Sequence, residues 1–164
     1  MGHQETYSTI QIDFHLPNQF DLSYIGADGK EHRPVIIHRG VISTMERMVS
    51  YLIELYGGAF PAWLAPVQVA ILPITERQNT YAAEVMQKLL AAGIRVELDE
   101  RNEKVQAKIR DAQLQKIPYM LVIGGKEAEA GTVAVRHRTK GDQGPRPLDQ
   151  FLADLKKEVD SKAL

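Results

Sequence analysis

A chain of 164 residues has room for one medium domain or a small domain with an appendage, and its 44% hydrophobic content excludes disorder. Twenty Lys and Arg against twenty-one Asp and Glu leave a formal charge of −1, so no chain-wide basic field exists and any contact with nucleic acid must be local. With no Cys, neither a disulfide framework nor a thiolate metal site can be built from this chain alone. Met1-Gly-His-Gln-Glu lacks a basic region followed by an apolar one. The longest apolar tract, Ala59 to Ile74, is interrupted by Pro61, Pro66, Gln68 and Pro73 and is shorter than the roughly 20 residues of a membrane span. A soluble, cytoplasmic protein without a membrane segment is expected.

In chain order, Thr9-Ile-Gln-Ile-Asp-Phe alternates like a strand. Pro17-Asn18 marks a turn and Phe20 to Ile25 gives a second extended run. Gly26-Ala-Asp-Gly29 reads as a hairpin loop leading into a third strand through Pro34–Ile37. From Val41 the period changes: Ile42, Met45, Val49, Leu52, Ile53 and Tyr56 follow helical spacing up to the Gly57-Gly58 stop. Val67–Leu72 is a nearly continuous apolar run, as in a strand buried on both faces. Thr80–Ala92 follows as a helix with Val85, Met86, Leu89 and Leu90 inward. Ile94–Leu98 alternates again, and Asn102 is a candidate N-cap for a helix over Glu103–Leu114. Pro118–Ile123 is a second buried strand, which ends in a Gly turn exposing Lys126 and Glu127. Thr132–Arg138 is a further alternating strand, and Leu148, Phe151, Leu152, Leu155 and Val159 define a closing amphipathic helix. Strands alternating with helices of this length imply a three-layer α/β domain with a mostly parallel sheet.

Residues 32–47, His-Arg-Pro-Val-Ile-Ile-His-Arg-Gly-Val-Ile-Ser-Thr-Met-Glu-Arg, form a strand turning into a helix that presents His38 and Arg47. Thirteen residues after Arg47 comes Phe60-Pro-Ala-Trp-Leu-Ala-Pro-Val-Gln-Val-Ala-Ile-Leu-Pro-Ile. Later come Arg101-Asn-Glu-Lys104, Lys108-Ile-Arg110, Ile117-Pro-Tyr-Met120 and Val122-Ile-Gly-Gly-Lys-Glu127. This order resembles the C-terminal part of the threonyl-tRNA synthetases, a class II family, from about Thr9 to the end. The resemblance implies that residues 1–60 are the terminal strands and helix of a class II catalytic domain. Residues 61–164 would be an anticodon-binding domain, a mixed, mostly parallel five-stranded sheet flanked by helices.

The family's chemistry builds charge on ATP phosphate oxygens, where a fixed guanidinium is a natural stabiliser. In isolation Glu46-Arg47 reads as a solvated helix face; the resemblance makes Arg47 the ATP-contacting arginine. It likewise places Thr9, Gln11 and Thr44 around ATP and threonine. A lone His after Val-Ile-Ile is ordinarily a satisfied strand-end residue. The resemblance makes His38 one of three zinc ligands that select threonine, the other two lying outside this chain. ATP and zinc are thus expected for a parent ligase, and no tight cofactor for this chain alone. Ser43 stands where the family generally has Gly, Thr6 where it usually has Gln, and Gln106 where it has Gly.

For the RNA, Arg101, Asn102 and Lys104 at a strand–helix junction, with Lys108 on the same face, read in isolation as a cap and a solvated basic face. The resemblance assigns Arg101, Asn102 and Lys104 to tRNA, and Glu127 and Arg136 to the anticodon bases. A carboxylate accepts from base amino groups and Arg forks onto acceptor pairs. Tyr119 and the sheet surface would offer stacking to unstacked bases. The resulting expectation is a threonine–tRNA ligase fragment that binds the anticodon arm and is not itself catalytic. The alternatives are a freestanding tRNA-binding paralogue or half of a split synthetase, and an α/β domain whose partner is another protein. Open strand edges in residues 1–60 would invite a homodimer. No DNA partner is expected.

Overall fold

The computed structural model describes Gln4 and residues 6–163, so most of the N-terminal segment read for targeting lies outside the described residues. The chain divides into two compact units, Met1–Leu52 and Ile53–Leu164.

In the first unit, β1 (Thr9–Asp13) is followed by the short helix α1 (His15–Gln19), the hairpin strands β2 (Tyr24–Ile25) and β3 (Glu31–His32), and β4 (Ile36–Gly40). The helix α2 (Met45–Tyr56) begins in this unit and runs to its Gly57-Gly58 stop. β1 and β4 form a two-stranded antiparallel sheet in which Ile12 faces Ile37 and Gln11 faces His38. Three local expectations change here. The Pro17-Asn18 turn is a helix, because Asp13 Oδ1 accepts the backbone N–H groups of His15 and Leu16 at 2.7 and 3.0 Å. The Phe20–Ile25 run is extended only at its end: the Arg33 guanidinium donates to the carbonyls of Pro17 and Leu22 and to Asp21, folding that stretch into a loop. The hairpin around Gly26–Gly29 forms, but its returning strand is Glu31–His32; Ile36–Gly40 pairs with β1.

The second unit alternates β5 (Val69–Pro73), a 3-10 turn (Glu76–Gln78), α3 (Asn79–Ala91), β6 (Val96–Leu98), α4 (Val105–Leu114), β7 (Tyr119–Ile123), α5 (Gly125–Ala130), β8 (Thr132–His137), β9 (Gly141–Pro147) and α6 (Leu148–Ser161). The strands make one mixed five-stranded sheet in the order β6-β5-β7-β8-β9. β6, β5 and β7 run parallel, and β8 and β9 return antiparallel. One face is packed by α3 and α6, joining Ile71, Val85, Leu89, Leu121, Val135, Phe151 and Leu155. The other carries α4, which closes Ile109 and Ala112 over Ala70, Leu72 and Met120. β5 is buried at every position, as a central strand between two helical layers must be.

Three further expectations are corrected, and one strand appears that the sequence did not announce. Leu90 is 45% exposed, because it lies one residue past the Ala82–Val85–Leu89 stripe that meets the sheet. α4 starts at Val105 rather than Glu103, so Asn102 is not its cap; Lys104 precedes the helix in an extended conformation without a side-chain cap bond. The stretch after β7 is the helix α5, not a bare turn. β9 was not legible: Gly141-Asp-Gln-Gly-Pro-Arg-Pro147 has no alternating apolar pattern, yet an edge strand tolerates proline, and a bulge between Ala134 and Arg136 absorbs the mismatch.

Candidate nucleic-acid interface

β5 lies between β6 and β7, with α3 leaving toward one face and α4 crossing on the other. The strand order therefore reverses at β5/β7, and in open α/β sheets the crevice beyond the carboxyl ends of such strands is where ligands bind. Three segments leave the sheet at that end: residues 74–78 after β5, 99–104 after β6 and 124–127 after β7.

The β6–α4 segment is braced by charge. Arg101 donates its backbone N–H and Nε to Asp99 Oδ1 at 3.1 and 2.9 Å, and Nη2 to Asp99 Oδ2 at 2.7 Å and to Asp111 Oδ2 at 2.8 Å. The Asp99 carboxyl is held below the usual carboxylate range chiefly by that Arg101 bond. Lys108, expected on a solvated basic face, is buried instead; its Nζ donates to the carbonyls of Pro73 and Asp99 at 3.0 and 2.9 Å. The reason is the helix phase: with α4 starting at Val105, Lys108 and Ile109 turn toward the sheet. Asn102 and Lys104 are exposed, and their side chains make no hydrogen bond or ion pair among the described residues.

After β7, Glu127 sits in the first turn of α5 and its Oε2 accepts the Gly124 N–H at 2.9 Å, leaving Oε1 to an outside donor. Glycine at 124 permits this return: a Cβ there would lie 2.8 Å from Glu127 Oε2 and 3.0 Å from Ile74 Cδ1. Glu127 is half-buried, while Lys126 is exposed.

Arg136 stands opposite Met120 in the β7–β8 register, and Ala134 opposite Val122, so both share the sheet face on which α4 lies. Arg136 is half-buried, its Nε is out of solvent without a hydrogen-bond partner, and its guanidinium makes no ion pair among the described residues. Its register neighbour in β9, Asp142, accepts the Gly144 N–H and does not neutralise it. Tyr119, expected to stack on bases, is turned to the opposite face. Its hydroxyl donates to Glu158 Oε2 at 2.6 Å and its ring meets His137 and Phe151 edge-on. Burial, with the Glu158 bond, pushes the Tyr119 phenol up, so it stays protonated there. The alternation of β7 decides this: Met120 faces α4, so Tyr119 and Leu121 face α6.

In the first unit, Thr9, Gln11 and His38 are brought to one face of the β1/β4 sheet together with Asp13, a residue that the sequence did not single out. His38 Nε2 is 2.9 Å from Asp13 Oδ2, and this bond holds the Asp13 carboxyl low. Thr44 precedes α2 and its Oγ1 accepts the Arg47 N–H at 3.4 Å, while the Arg47 carbonyl accepts from the Tyr7 hydroxyl. Among the described residues no group of three or more His, Cys, Asp or Glu side chains could hold a metal ion. His38 and Asp13 offer two donors at most, fewer than the four of a zinc centre, so these residues alone do not fit one. Asp99 and Asp111 also escaped sequence reasoning: Asp99 is only two residues from Arg101, but Asp111 is ten residues away and only the fold brings it to the same guanidinium.

The sheet order and the two helical layers define a three-layer α/β domain with a mixed five-stranded sheet. A family model described as the anticodon binding domain matches residues 68–158, and the chain belongs to that family. Over its whole length it is 57% identical to a threonine–tRNA ligase of Symbiobacterium thermophilum and 56% to that of Oceanobacillus iheyensis, spanning about a quarter of each relative. Among solved structures it is similar to the RNA binding domain of threonyl-tRNA synthetase from Cryptosporidium parvum, with 37% identity and a TM-score of 0.81 over 94% of this chain and 40% of that one. A prolyl-tRNA synthetase from the same organism shares the fold at 22% identity, with a TM-score of 0.64 over 90% of this chain and 33% of that one.

Proposed function

We propose that this chain is the anticodon-binding region of a threonine–tRNA ligase and that it holds the anticodon loop of threonine tRNA. The observation that carries the reading is Arg136: a half-buried guanidinium with no partner on the sheet face beside α4, where an Arg can fork onto a base edge. Asn102, Lys104 and the free oxygen of Glu127 stand at the switch-point end of the same sheet, and Arg101 fixes the loop they depend on. Residues 61–164 make up the RNA-reading domain in this proposal, and residues 1–60 the end of a catalytic domain.

In the longer protein, threonine would be activated with ATP and passed to the tRNA in the cytoplasm. Arg47 would meet the nucleotide phosphates, with Thr9, Gln11 and Thr44 beside it and His38 serving as one zinc ligand. This chain alone is not catalytic in that scheme, and threonine-dependent pyrophosphate exchange by it would refute the assignment. The uncovered edges of the β1/β4 sheet would pair two copies into a dimer.

The direct test is binding of a threonine-tRNA anticodon stem-loop against one with an altered anticodon. Arg136→Ala is expected to cost about 1–3 kcal/mol with the first loop and little with the second. Equal, salt-sensitive binding of both loops by the unaltered chain would reduce the interaction to phosphate attraction and defeat the proposal.

A further inference from the structure

We infer that Asp99 and Asp111 act as specificity and positioning residues of the RNA site: they withhold Arg101 from phosphates and fix the loop that presents Asn102 and Lys104. The inference rests on the anticodon-loop reading above and adds a division of labour within it.

Arg101 is the most prominent cation of the β6–α4 segment, and a free arginine there would attract any phosphate. It is not free. Of its five guanidinium N–H groups, Nε and both of Nη2 are engaged by two carboxylates that reach it from different elements. Asp99 closes β6 and Asp111 stands on α4, on the margin of a cavity of about 530 Å³ between the edge strand and that helix. Lys108 completes the cluster from beneath, gripping the Asp99 carbonyl and the end of β5. Two cations and two carboxylates leave the cluster neutral.

The arrangement has two consequences. First, the domain's hold on RNA loses one sequence-blind phosphate contact, which raises the share of binding that comes from base-reading groups such as Arg136. Second, the bond from Asp111 ties the loop to α4, so that Asn102 and Lys104 leave a fixed base. Asp99 is only 14% exposed and carries the backbone anchor; Asp111, at 41%, can be changed without opening the core.

The test compares the unaltered chain with Asp111→Asn and Asp111→Ala, using the matched and altered anticodon stem-loops across a salt series, with thermal melting to confirm folding. Both variants release a net positive charge. The dependence of log K on log salt should therefore steepen by about 0.7 to 0.9, as for one added phosphate contact. Affinity for the altered loop should rise more than for the matched loop, lowering the ratio between them. Asn keeps an acceptor for Nη2, so it should preserve more of that ratio than Ala. An unchanged salt slope in both folded variants, or equal weakening toward both loops, would overturn the inference while leaving the anticodon reading intact. Failure of the unaltered chain to prefer the matched loop would overturn both.

Discussion

The two units answer the same sequence grammar in opposite ways. In the second, apolar runs become core: among the described residues, the buried aliphatic and aromatic ones, from Ala62 to Leu155, all lie there, and Pro17 is the one apolar residue buried in the first unit. In the first, equally apolar strands remain uncovered. Ile10, Ile12, Phe14 and Ile37 are 60–65% exposed, and α2 buries none of its residues despite a clear amphipathic stripe. A two-stranded sheet has no second layer to face, whereas five strands between α3/α6 and α4 do. An alternating pattern thus states which face seeks burial; the presence of a partner decides whether it is obtained.

That contrast can be broken or sharpened experimentally. The largest effect expected is in limited proteolysis: cleavage should begin within residues 1–52 and leave a resistant product covering most of 61–164. Protection of the first unit in a monomeric sample would refute it. Next, Leu121→Ala should cost about 2–5 kcal/mol in urea unfolding, since Leu121 is fully buried, whereas Ile12→Ala should stay within about 0.5 kcal/mol. A large cost at Ile12 would reveal a covering partner, and its dependence on protein concentration would identify a second copy.

Comparable to the Leu121 cost is the effect of Gln68→Leu. Gln68 is wholly buried, donates Nε2 to the Ala62 carbonyl and accepts the Arg95 N–H on Oε1, both at 2.8 Å. Leucine fills the space but strands those two groups, at about 1–3 kcal/mol for each left unsatisfied. The smallest effect concerns pH. Burial lowers the pKa of His137, whose Nδ1 accepts the N–H groups of Thr139 and Lys140 in the β8–β9 turn and so requires the neutral ring. A lowered folded value means that the unfolded chain binds the proton first. The contribution is complete above the ordinary histidine value of about 6.5 and is lost as pH falls through the folded one. The urea midpoint should decline from pH 7.5 to 5, and His137→Gln should flatten that decline.

Much of this was legible beforehand because it is local. Val67–Leu72 announced a central strand by its continuous apolar run, and Leu148, Phe151 and Leu155 announced the inward stripe of α6 by their spacing. The ordered motifs from the Glu-Arg helix through Phe60-Pro-Ala-Trp to Arg101-Asn-Glu-Lys pointed to the family. Glu127 and Arg136 could be named as candidates because residue type and position in a motif survive in one dimension.

What the sequence could not contain was adjacency. Lys108 reads as one more surface lysine until the phase of α4 turns it onto the Pro73 and Asp99 carbonyls. Tyr119 is an aromatic in a plausible place until strand alternation hands it to Glu158. Arg101 and Arg136 are alike as letters, yet the fold gives the first two carboxylates and leaves the second unpaired. Periodicity and motif order are properties of the chain and fixed the fold class and family. Whether a given charge is spent internally or left for a ligand depends on which distant groups come within hydrogen-bond reach, and only the packed sheet and helices set that.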